Sequence, residues 1–268
     1  MRARSDPAGA AGPDAPPRPP LVRELLLVAG LFLVCKSGRQ LATGRIAELF
    51  RNARDVRGFE RALRLPDEGA VQSLLLHGDT LVHVANAYYA AVHFPATVTF
   101  LVWLCLRRPA HYVWARRTLA AVTGAALALH LLFPLAPPRM LTAAGLVDTA
   151  RVYGPSVYGP PGTDELSNQF AAMPSLHFGW ALMPAVGLIV ATRSRLRWLW
   201  LLHPLVTLLV SVGTADHYWL DVLAAAALLG LALAVLRLPH RPRCTLLRRP
   251  AARRRAVARE QELVGAGR

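Results

Sequence analysis

Two stretches of the chain hold histidine in settings where it could do chemistry: Pro174-Ser175-Leu176-His177 and Asp216-His217-Tyr218-Trp219-Leu220-Asp221. In the second, His217 and Asp221 stand four residues apart, so on a helix they share a face and the carboxylate can accept from one imidazole nitrogen. That contact fixes the tautomer and leaves the other nitrogen to attack an electrophile. In the first, Pro174 reads as part of the first turn of a helix whose backbone N–H groups are open to an anion. Ser175 adds a hydroxyl donor there, and His177 a titratable group. A third element, Pro137-Pro138-Arg139-Met140, puts an arginine on a proline-stiffened segment, a good bidentate grip for phosphate. Each element also has a plainer reading: a helix cap with an interfacial histidine, a structural His–Asp pair, an arginine anchoring the chain at a membrane surface.

The elements that must position these residues are apolar runs. Of the 268 residues 54% are hydrophobic, yet Lys+Arg number 31 against 16 Asp+Glu, a formal net charge of +15. Such a balance could serve nucleic acid, but the arginines would then sit on a folded polar face, and here they fall between long apolar segments. The runs at 81–106, 118–135, 174–192, 198–215 and 218–236 are each long enough, or nearly so, to cross a hydrocarbon core. An earlier run at 21–43 carries Arg23, Glu24, Lys36 and Arg39 and spans only if those side chains snorkel. The expected fold is all-α, a polytopic membrane helical bundle with about six transmembrane helices. A Pro-, Ala- and Gly-rich leader at 1–20 is expected to be disordered, and no cleavable signal peptide is evident. The basic tail at 237–268 is expected on the cytoplasmic face, beside anionic lipid.

Arginine placement orients the bundle, with both termini cytoplasmic. Arg139, Ser175, His177, His217 and Asp221 then meet at the outer ends of the third, fourth and sixth expected spans. Six arginines between Arg45 and Arg64 fall on that same outer side against the usual bias. Glu48, Asp55, Glu60, Asp67 and Glu68 offset them, which suggests an amphipathic helix on the outer membrane surface. Asn86, Tyr89 and His93 recur at helical spacing on the second span and could line a lipid or headgroup pocket, or simply glue helices together. Asp216, Asn168 and Gln169 border the outer site and could bind sugar hydroxyls. Cys35, Cys105 and Cys244 lie within or inside the membrane by this topology, so neither a disulfide nor a metal cluster is expected.

Together the Pro-Ser-Leu-His and His-Tyr-x-x-Asp stretches resemble the type 2 phosphatidic acid phosphatase superfamily, and within it the branch similar to inositol phosphorylceramide synthase. The resemblance covers roughly residues 85–236, by motif order and span spacing. It implies that His217 is the nucleophile that becomes phosphohistidine, that Asp221 orients it, that His177 protonates the leaving alkoxide, and that Arg139 with Ser175 holds the phosphoryl oxygens. Two positions depart from the general pattern. Leu132 stands where a lysine is usual and Ser211 where an arginine is usual. Both missing cations would neutralise phosphate, which mildly favours a diester donor over a monoester. In-line displacement through a covalent histidine requires no metal or other cofactor. The resemblance implies a lipid phosphotransferase of the inositolphosphotransferase type or a lipid phosphate or pyrophosphate phosphatase. A non-catalytic membrane protein that binds anionic lipid through its tail is the reading from another class.

Overall fold

The computed structural model describes residues 45–155 and 173–237, together with Gly30. The expected leader, nearly all of the first expected span, Asn168, Gln169 and the tail beyond Arg237 lie outside the described residues. Nine α-helices and three 3-10 turns, with no strand, make up the described residues. They are α1 (Ile46–Ala62), α2 (Glu68–Leu75), α3 (Asp79–Ala91), α4 (His93–Arg107), α5 (Pro109–Leu132), α6 (Thr149–Tyr153), α7 (Leu176–Ala191), α8 (Leu202–Gly213) and α9 (Trp219–Val235). Turns at Pro138–Met140 and Thr142–Ala144 follow α5, and a third, Arg195–Leu201, leads into α8.

The all-α expectation holds for the described residues, among which one helix, or two with a bent pair, passes as a membrane span, so the expected six are not shown. Arg195–Gly213, 19 residues counting the 3-10 turn with α8, is the one described helix long and apolar enough to cross a membrane. The run at 81–106 passes the same criterion only as a pair, α3 and α4, bent by 44° at Val92. Pro95 accounts for the break: it has no N–H to donate to Ala91, and its ring crowds that carbonyl. The run placed at 118–135 begins earlier, because Pro109 starts α5 and carries Arg116 and Arg117 into its first turns. Helices α7 and α9 are apolar but, at 16 and 17 residues, short for a full crossing.

Helices α4, α5, α7 and α9 share a core of Phe100, Leu104, Trp114, Leu119, Val122, Met183 and Leu229. Gly187 lets α7 approach α4 closely, since a Cβ there would overlap the Phe100 ring. Hydrogen bonds cross between the same helices: Thr97 Oγ1 to the Trp180 carbonyl at 3.1 Å, Trp180 Nε1 to Thr123 Oγ1 at 3.1 Å, and Trp114 Nε1 to the Leu236 carbonyl at 2.9 Å. The expected amphipathic helix forms as α1. Its Leu49, Ala53 and Val56 pack with Leu135, Leu141 and Tyr218, and Asn52 donates to the Pro134 carbonyl at 2.8 Å. Thus α1 braces both the Arg139 segment and the start of α9.

Candidate active site

The start of α9 carries the central pair, though not as helical neighbours. Tyr218 is the N-cap and the helix begins at Trp219, so His217 precedes it and Asp221 is the third helical residue. Asp221 reaches back, as acidic residues in this position do, and its Oδ2 accepts from the Tyr218 N–H at 2.8 Å. The chain reversal brings His217 alongside, and its Nδ1 donates to the same Oδ2 at 3.4 Å. The contact expected from spacing therefore exists, made by a cap rather than by a shared helix face. His217 itself is held by its backbone N–H, which donates to the Ser211 carbonyl at 3.2 Å, and its side chain is almost fully buried.

At α7 the cap is Ser175, with Pro174 one residue outside the helix rather than in its first turn. The physical reason is that the N-cap needs a side-chain acceptor, which serine has and proline lacks. Ser175 Oγ accepts from Phe178 N–H at 3.4 Å, and Ser175 N–H donates to the Asp221 carbonyl at 3.1 Å. That second bond ties the two motif-bearing helix starts together. His177 follows on the first turn, its ring centroid 6.0 Å from that of His217.

Between the two histidines stands Tyr89 of α3. Its hydroxyl lies 3.2 Å from His177 Nδ1 and 3.4 Å from His217 Nε2, and its ring stacks on His177 at 4.1 Å. One set of proton positions satisfies the whole row: His177 Nδ1–H donates to the Tyr89 oxygen, Tyr89 O–H donates to His217 Nε2, and His217 Nδ1–H donates to Asp221. His93, at the α3–α4 break, packs its ring 4.1 Å from His177. The bend that shortens the second span is what delivers His93 to the site.

Arg139 is buried in the turn after α5, its backbone N–H donating to the Ala215 carbonyl at 3.0 Å. Its guanidinium pairs with Asp216, the residue before His217, and lies 3.5 Å from Asp148 through Nε. Thr214 Oγ1 holds the other Asp216 oxygen at 2.9 Å. Asp216 thus serves the arginine, where sequence suggested sugar hydroxyls. Asn86 is likewise engaged with protein: its Nδ2 donates to the Thr149 and Gly154 carbonyls at 2.9 and 3.0 Å, and its Oδ1 accepts from Thr149 Oγ1 at 3.0 Å. It pins α6, and with it Asp148, beside Arg139.

Sequence reading took Glu60 and Glu68 as charges offsetting the α1 arginines, whereas both are buried. Glu60 is buried on α1, and its Oε1 accepts from Leu220 N–H at 2.8 Å, capping the helix that carries Asp221. Burial, ahead of a hydrogen bond that the protonated group donates to Glu68 and repulsion by Glu68, pushes the Glu60 carboxyl up to about 9, so it holds a proton at neutral pH. Glu68, its neighbour in this contact, is buried as well. Among the described residues no group of His, Cys, Asp or Glu has metal-site geometry.

Chemically, the row offers a nucleophilic nitrogen on His217, a carboxylate that stabilises its positive charge, and a second imidazole for a leaving group's proton. No curated protein and no solved structure matches the chain significantly. Residues 54–235, however, match the family model described as PAP2 superfamily, and that stretch contains every residue of the row and Arg139. The chain belongs to the PAP2 superfamily and is an enzyme of the phosphatase and phosphotransferase type.

Proposed function

We propose that the protein is an integral-membrane phosphotransferase that moves a phosphoryl group from a lipid phosphate ester through a phosphohistidine at His217, inositolphosphotransferase-like in its choice of substrates. The observation that carries the reading is the row Asp221, His217, Tyr89, His177, with Arg139 held beside it. His217 Nε2 attacks phosphorus and the bond from phosphorus to the leaving oxygen breaks. His177 supplies the proton that the leaving alkoxide takes up, and Asp221 offsets the charge that develops on the imidazole. An acceptor hydroxyl then loses its proton to His177, attacks phosphorus and releases His217. An alcohol as acceptor makes a transferase and water makes a phosphatase, the second reading within the superfamily.

Apolar exposure supports the membrane setting. Along α8, Leu202, Leu205, Val206 and Leu209 form an outward stripe while Pro204, Thr207, Val210 and Ser211 face in. A soluble helix would show the reverse. The topology that goes with this puts both termini in the cytoplasm and the site on the outer side. Labelled lipid donors, with and without inositol-bearing headgroups, test the reaction in detergent: a new phospholipid product supports transfer, and free phosphate alone supports the phosphatase. Millimolar vanadate is expected to inhibit by binding His217 as a five-coordinate adduct; indifference to it would count against the covalent histidine.

A further inference from the structure

A groove of about 490 Å³ lies between α1 and residues 140–144, which follow Arg139. Arg54, Arg57 and Arg61 line it from α1, spaced by three and four residues so that one helical face presents all three. Opposite them stand Met140 and Leu141, with Phe50 closing one end. Three guanidinium groups sharing a groove repel one another, and among the described residues none of the three makes an ion pair. Arg57 Nε is buried without a hydrogen-bond partner. The acidic residues of the same helix do not answer them: Glu48 bonds to Arg45, Glu60 caps α9, and Asp55 does not line the groove.

We propose that this groove is a second anion-binding site, taking the phosphate of a phospholipid headgroup. Planar guanidinium forks suit phosphate oxygens, and three of them can engage one group from different sides. The apolar wall suits a ligand that is charged at one end only. Helix α1 also exposes Ile46 and, on the face away from the arginines, Phe59, the mixture expected of a helix lying among headgroups. The proposal gives a purpose to arginines that orientation rules would keep off the outer side. It holds whatever the chemistry at His217.

Phosphatidic acid carrying a diazirine near its phosphate, cross-linked to the full-length protein in detergent, tests it, with adducts mapped by peptide mass spectrometry. Adducts on α1 and on the 140–144 segment are expected. Arg54→Gln/Arg57→Gln/Arg61→Gln should lower their yield roughly tenfold or more while active-site adducts persist. The triple lysine variant, which keeps charge but loses the forks, guards against misfolding and should give an intermediate yield. A diazirine diacylglycerol should label the groove poorly. Excess inorganic phosphate should leave the adducts in place; if it removes them as efficiently as unlabelled phosphatidic acid, the site takes free phosphate and the headgroup assignment falls. Adducts undiminished in the glutamine variant, or equal with diacylglycerol, would overturn the site altogether.

Discussion

At the scale of single residues, Tyr89 changes what two histidines can do. A phenol lies within hydrogen-bond reach of both His177 Nδ1 and His217 Nε2, so it couples the proton positions of the two imidazoles. Tyr89→Phe keeps the stacked ring and loses only the hydroxyl, so kcat should fall about 10- to 100-fold with KM little changed. Wild-type kcat would remove the hydroxyl from catalysis. His177→Ala should cost about 10²- to 10⁴-fold on alkyl phosphate esters and far less on an activated aryl ester, whose leaving group needs no proton. Equal losses on both would show that His177 is not the acid. The His–Asp pairing was legible from its spacing. That Asp216 and Asp148 neutralise the arginine was not legible, because Asp148 reaches it only through the loop that Asn86 pins. Leu132, in the position where the superfamily pattern has lysine, is 74% exposed at the end of α5 and brings no charge there.

Among the elements, helix starts do most of the positioning. Ser175 and Asp221 cap α7 and α9 and are tied to each other, while Glu60 caps α9 from outside it. The last contact joins residues 160 apart, beyond the reach of any local pattern. The kink between α3 and α4 was foreshadowed by Pro95, but the unbroken apolar run around it reads as one span. Glu60 makes a prediction at this scale. Its pKa is raised on folding, so the native state holds a proton that the unfolded chain releases above the ordinary glutamate range. The stability this contributes is complete at acid pH and lost as pH rises towards about 9. Thermal unfolding should therefore show Tm falling from mildly acid to alkaline pH, and Glu60→Gln, which keeps an acceptor for Leu220 N–H, should flatten that slope. An identical slope in the variant would mean that Glu60 is charged throughout.

For the whole molecule, composition and arginine placement made an all-helical bundle legible. The number of crossings was less so, since bends, 3-10 turns and helices of 16 or 17 residues divide the apolar length in ways hydropathy does not register. Outward apolar stripes on α8 and exposed Leu223, Leu231 and Val235 on α9 need covering by something other than water. The protein should accordingly remain with membranes through an alkaline carbonate wash and leave them only in detergent. Recovery in the aqueous fraction would contradict the membrane reading. The central claim, a phosphoryl group carried on His217, is tested most directly by trapping it. Protein turning over a radiolabelled lipid phosphate ester, quenched in alkali to preserve phosphohistidine, should yield label on the peptide containing His217, and His217→Ala should yield neither label nor product. Turnover that persists in His217→Ala, or label that maps to another residue, would contradict the account.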